Sequence, residues 1–249
     1  AIEKMKKFFQ RIVDFLGMNS SLAGMLLMVI LVGMGEKMAE RFLPLYIIAM
    51  GGTPIIIGLL NGLDNLLSAL YSYPGGWLAE KLGYKKALAI FNLMAIFGYL
   101  IVVLFPTWQA VLIGAIFFIS WTAISLPATM SLISSVVPVN RRSMGVSLNS
   151  IVKRIPMALG PIMGGALIMK FGRIQGVRYA FIVAIILAIV ALFVQQKLIV
   201  EPPVEKKTKQ KKGSRRFSKN LTNLLVSDIL VRFCEQIPYA FVVVWVVEN

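Results

Sequence analysis

Apolar runs long enough to cross a lipid bilayer follow one another along nearly the whole chain, and no other feature restricts the possible folds so severely. A hydrocarbon core about 30 Å thick takes about 20 helical residues. Residues 21–50, 54–78, 87–105, 109–135, 143–171, 179–196 and 221–247 reach or approach that length. In hydrocarbon every backbone amide must be satisfied within its own segment, so the runs are expected to be helices. Of the 249 residues 58% are hydrophobic and only 15% are charged, too little charge to coat a soluble domain of this size. The expected fold class is an all-α polytopic membrane protein: a six-helix bundle followed by a seventh transmembrane helix.

A net charge of +15 would suit a nucleic-acid partner, but the 26 basic residues lie in short clusters between apolar runs, with no interleaved aromatic platform. No nucleic-acid partner is expected; the lipid bilayer is. Lys4, Lys6, Lys7 and Arg11 precede span 1, Lys81, Lys85 and Lys86 follow span 2, and Arg141 and Arg142 follow span 4. Lys170, Arg173 and Arg178 argue the other way, yet the balance predicts a cytoplasmic N-terminus in a multi-pass protein of the cell membrane.

Residues 1–20 read as a cytoplasmic amphipathic segment, with Ile2, Met5, Phe8, Phe9, Ile12, Val13 and Leu16 on one helical face. Residues 21–196 form the bundle. Residues 197–220 read as a basic cytoplasmic linker, and 221–249 as a further helix.

The chain has no histidine and one cysteine, Cys234. Histidine-based metal sites and triads are therefore excluded, and no metal, cofactor or enzymatic activity is expected. Aspartyl chemistry would need Glu36 and Asp64 as a pair. A seven-helix receptor or retinal protein is another class, but span 7 has no lysine for a Schiff base.

Residues 76–86 read Gly-Trp-Leu-Ala-Glu-Lys-Leu-Gly-Tyr-Lys-Lys. Gly76 permits close helix approach, Glu80 is an acid among cations at a helix end, Gly83 permits a tight turn, and Lys81 and Lys85 hold the loop in the cytoplasm. This stretch resembles the signature between the second and third helices of the major facilitator superfamily, Gly-x-Leu-Ala-Asp-Arg-x-Gly-Arg-Lys. Gly76, Leu78, Ala79, Gly83 and Lys85 match; Glu80 and Lys81 replace an acid and a base conservatively, and Tyr84 departs from the pattern. The resemblance implies the superfamily's six-helix half-bundle and a loop that gates the inward opening.

In span 5, Gly160, Pro161, Gly164 and Gly165 resemble a Gly-Pro-x-x-Gly-Gly element of the same superfamily, more pronounced in drug/proton antiporters. Two further glycines of the full element fall on Ser147 and Pro156 here, so helix packing is the reading that these residues favour. Span 4 lacks the arginine and Gln-Gly pair usual in such antiporters.

Secondary transporters are commonly built from two similar halves. An offset of 199 residues superposes Leu22, Leu26, Ile30, Glu36 and Phe42 on Leu221, Leu225, Ile229, Glu235 and Phe241. Glu36 with Glu235 is the informative pair, because intramembrane acids are rare. A chance match of two apolar helices is the alternative. As a repeat, it predicts a chain that stops one helix into its second half, with the remainder of that half as a missing partner.

At about 1.5 Å per residue, Glu36 falls roughly 22 Å into its span, and Asp64, Lys153 and Arg154 about 15–17 Å into theirs. Charges at such depths should face one another or water. Glu36, Asp64, Lys153, Arg154, Arg232 and Glu235 are thus the candidates for substrate binding and proton coupling, with structural pairing as the competing role. Glu36 and Glu40 share a face, and Lys37 reaches Glu40 at a spacing of three. Trp121, Thr122 and Ser125 are candidates for lining the same cavity. The expected function is secondary active transport of a small solute, coupled to protons, by alternating access between two helical halves, with efflux as one direction. A non-transporting sensor or scaffold on the same fold is the alternative.

Overall fold

Prolines and glycines set where the helices start and stop. In the computed structural model, residues 20–118, 121–138, 142–200 and 226–228, 230, 231 and 234 are described. The expected amphipathic segment, the linker and most of the seventh span lie outside them. The chain divides into two compact units, Ala1–Pro202 and Pro203–Asn249. Within the second, the described residues at 226–228, 230, 231 and 234 are helical and exposed.

In the first unit, α1 runs Ser20–Glu40 and, after two turn residues, α2 runs Leu43–Ala49 with Pro44 in its first turn. Together they make a 30-residue apolar span, Ser20–Ala49. Helix α3, Pro54–Leu82, opens on a proline, whose missing N–H would find no helical partner there in any case. Only Gly83 separates it from α4, Tyr84–Leu104, which ends before Pro106. The fourth expected span is covered by α5, Trp108–Phe118, and α6, Trp121–Val136, with residues 119 and 120 outside the described set.

The last helix, α7, is assigned as Arg142–Leu198, 57 residues, but it reverses at Gly172, where φ is 80° and ψ is 170°. A β-carbon on Gly176 would lie 2.5 Å from the Cα of Ile168, and the rings of Phe171 and Tyr179 stand 4.7 Å apart. Neither contact is possible along a straight helix. The arms 142–171 and 173–198 are therefore spans 5 and 6, and the loop expected at 172–178 is helical beyond Gly172. Among the described residues four helices are long and apolar enough to cross a membrane, α7 being one of them.

Helix α1 lies between the arms of α7, parallel to the first and antiparallel to the second. Gly33 meets Pro156 of the first arm, while Gly24 and Gly35 meet Leu198 and Ala184 of the second. Helices α4 and α5 cross at Gly98 and Gly114, each at the other's carbonyl oxygen. Small residues allow this approach, and dispersion rather than water exclusion holds helices together in lipid. Beside that crossing, Tyr99, Phe118 and Phe181 stack with ring centroids 5.1–5.7 Å apart.

Polar bonds tie the bundle together at mid-depth and at both ends. Asn92 Nδ2 donates to the Ala188 carbonyl at 3.0 Å, and Arg178 Nη2 to that of Val103 at 2.9 Å. Arg178, the cation that opposed the charge bias, thus sits on an end carbonyl of α4, where the helix dipole favours it. Lys85 Nζ donates to Gln196 O at 2.6 Å, and Gln195 Nε2 returns a bond to Lys85 O at 2.6 Å. Ser21 Oγ donates to the Val200 carbonyl at 3.2 Å and accepts from the Val200 amide at 3.0 Å.

Gly83 has φ 86° and ψ 159°, a region essentially closed to residues with a side chain. Gly83→Ala should therefore cost about 1–3 kcal/mol. A methyl on Gly76 would meet Pro127 Cβ at an ordinary 3.7 Å, looser than the close approach expected there. Thermal unfolding in detergent should rank Gly83→Ala well below wild type and Gly76→Ala beside it.

Candidate functional site

The charged residues of α1 fall within two turns of its C-terminal end. Glu36 is buried, 4% exposed, whereas Lys37 and Glu40 are each 27% exposed at the side chain. Spacings of one and three put both carboxylates within reach of one ammonium. Lys37 Nζ donates to Glu36 Oε1 at 3.3 Å and to Glu40 Oε2 at 2.5 Å. A buried carboxylate is tolerable only with such a partner.

Two further candidates come to this triad from other helices. Asp64, half-buried on α3, accepts from Ser68 Oγ at 3.3 Å and lies within electrostatic reach of Glu40 and Lys37. Lys153, half-buried on the first arm of α7, lies within reach of Glu36. Three helices thus bring Glu36, Asp64 and Lys153 into one field of alternating charge. Asn61 and Asn65, which flank Asp64, instead donate to the carbonyls of Ile57 and Asn61 on their own helix, at 3.2 and 3.0 Å.

Arg154 is exposed, its Nη1 4.0 Å from the Met157 sulfur. Arg232 and Glu235 lie outside the described residues. Trp121 and Ser125 are buried, while the side chain of Thr122 is not among those described. Neither Lys37 nor Glu40 is among the binding candidates that depth along the helix selects. Their spacing from Glu36 was the signal that joins them.

The glycine element of the first α7 arm seats this part of α1. A β-carbon on Gly160 would fall 2.8 Å from Lys37 Cβ and 3.1 Å from the Met38 amide nitrogen. On Gly164 it would collide with the Met38 carbonyl oxygen and stand 2.8 Å from the Phe42 ring. Gly165 meets Phe42 at an ordinary 3.6 Å. Pro161 lies inside the helix between them.

In the loop between α3 and α4, Glu80 is exposed and Lys81 Nζ sits 4.7 Å from the centroid of the Trp77 ring, a cation–π arrangement. Lys85 makes the bonds to the end of α7 described above. Among the described residues no cluster of acids, cysteines or histidines forms that could hold a metal ion.

A family model described as Major Facilitator Superfamily matches residues 25–247. Solved structures agree on the fold. The POT family transporter PepTSo superposes with a TM-score of 0.64 at 11% identity, over 90% of this chain and 52% of that one. The peptide transporter POT in complex with sulfate gives 0.62 at 17%, over 88% and 46%. The human organic anion transporter MFSD10 (TETRAN) gives 0.61 at 14%, over 75% and 49%. No curated protein sequence matches the chain. The chain spans about half the length of the solved structures it resembles.

Proposed function

Because the chain belongs to the Major Facilitator Superfamily, we propose that it supplies one half and part of the other of a secondary active transporter, which moves a small solute by alternating access coupled to protons. One observation carries this reading: Glu36, Asp64 and Lys153, on three different helices, lie in one charged field around Lys37 and Glu40, all within apolar segments. Charges so placed are costly unless they are used or paired, and here two acids bond to the same ammonium.

Glu36 and Asp64 are the proton carriers in this scheme. Protonation of Glu36 would weaken its bond to Lys37 and leave Lys37 on Glu40, which is the kind of local charge change that biases two global arrangements. Lys153 would meet an acidic group of the solute. Structural neighbours named above are described as transporters of peptides and of organic anions, and a peptide's C-terminal carboxylate or another anionic group is what Lys153 can receive. Arg154, Arg232 and Glu235 are the further proposed substrate and coupling residues, each chosen as a charge within an apolar run. The loop holding Gly76, Glu80, Lys81, Gly83 and Lys85 is the proposed inner gate, on the same side as a cytoplasmic N-terminus.

Flux in liposomes carrying the full-length protein tests this, with dipeptides and small organic anions as probes under an imposed pH gradient. Glu36→Gln and Asp64→Asn should each reduce gradient-driven accumulation by about 5- to 150-fold, the usual span of a coupling free energy. A gradient that never alters flux, together with unchanged flux in both variants, would remove proton coupling from the reading.

A further inference from the structure

Among the described residues, Tyr99 is a buried polar residue whose surroundings point to the charged cluster without a bond to it. It is 1% exposed on α4, and its ring is fixed between Phe118 of α5 and Phe181 of the second α7 arm, at centroid distances of 5.1 and 5.7 Å. Its hydroxyl is sealed from solvent and meets no hydrogen-bond partner among the described residues. The charged groups within its electrostatic reach are Glu36 and Glu40 of α1, whereas the side chains packed on its ring from α5 and α7 are apolar.

A phenol can pack as a hydrophobe, but a sealed hydroxyl without a partner is unfavourable, and most buried hydroxyls in folded proteins have one. The nearby acids both bond to Lys37 in this arrangement. Gly35, the neighbour of Glu36, packs on Ala184, about one turn along the same arm from the Phe181 that holds the Tyr99 ring, so the O–H donor is fixed near a carboxylate already engaged by Lys37, as an exchange of partners requires. We propose that the Tyr99 hydroxyl is the alternate hydrogen-bond donor to Glu36: it is unengaged while Lys37 holds the acid and engaged when α1 shifts and Lys37 lets go. Tyr99 is then a positioning residue, acting through Glu36 rather than on the solute. This rests on the transport reading for its purpose, though the exchange itself does not need transport to be observed.

Tyr99→Phe removes the hydroxyl and keeps the ring. Infrared difference spectra of the full-length protein in liposomes, recorded across a pH titration, read the carboxyl band of Glu36, assigned by its loss in Glu36→Gln. The expected result is that Tyr99→Phe moves this band in one limb of the titration, while the melting temperature holds or rises because an unsatisfied donor is gone. A Glu36 band unchanged across the whole titration, or a lowered melting temperature, would overturn the proposal.

Flux then separates the two readings. Tyr99→Phe should slow pH-driven flux roughly three- to tenfold in the parent and leave it unchanged in a Glu36→Gln background, as coupled residues require. Equal slowing in both backgrounds would overturn the exchange. Absence of flux in the parent would count against the transport reading alone, with the infrared result still deciding the role of Tyr99.

Discussion

Lys37→Met should give little or no folded protein. The substitution leaves Glu36 buried and Glu40 four residues away, two like charges on one helical face whose shared cation is gone. Breaking a buried pair by removing one partner costs about 3–5 kcal/mol, comparable with the whole stability of many domains. Neutralising the acids as well, in the triple variant Lys37→Met, Glu36→Gln and Glu40→Gln, should restore most of the folded yield, because both carboxylates that Lys37 bonds are then neutral. Monodisperse yield and melting temperature in detergent report both. A single variant that melts within a degree or two of wild type would show that Lys37 does not hold the cluster.

Gly164→Val should be the most damaging change outside the charges. Its first added carbon already collides with the Met38 carbonyl oxygen, and backbone cannot swing aside as a side-chain tip can. Overpacking commonly costs about 1–3 kcal/mol, and this site should lie at or above the upper end. Gly160→Val meets Lys37 and Met38 in the same way and should be nearly as severe, whereas Gly165→Ala should be tolerated. The same melting assay ranks them. Equal tolerance at Gly164 and Gly165 would mean that α1 is not seated on this element.

The spans were legible because a bilayer imposes one length on every helix, and six of the seven expected runs fall on described helices. The interruptions were less so. Pro54, Pro106 and Gly83 announce their breaks by chemistry alone. At 172–178, Lys170, Arg173 and Arg178 suggested a polar loop. The chain reverses at Gly172 alone because its positive φ does the turning, and Arg178 folds back onto a helix-end carbonyl.

For the site, depth along each helix selected Glu36, Asp64 and Lys153, yet depth says nothing about facing. Asn61 and Asn65 looked like companions of Asp64 and turn out to bond to their own backbone. Tyr99 gave no signal at all, since a tyrosine in an apolar run is indistinguishable from packing until its hydroxyl is seen without a partner.

The reciprocal pair of bonds between Ser21 and Val200 joins residues 179 positions apart. Mechanically it acts as a rivet at the foot of the bundle. Tension arriving along the chain after Val200 would load two hydrogen bonds together at the base of α1, instead of peeling the second arm of α7 away one turn at a time. Helix α1 carries Glu36, Lys37 and Glu40 at its opposite end, so a pull at this point is delivered along the axis of the helix that holds the charged cluster.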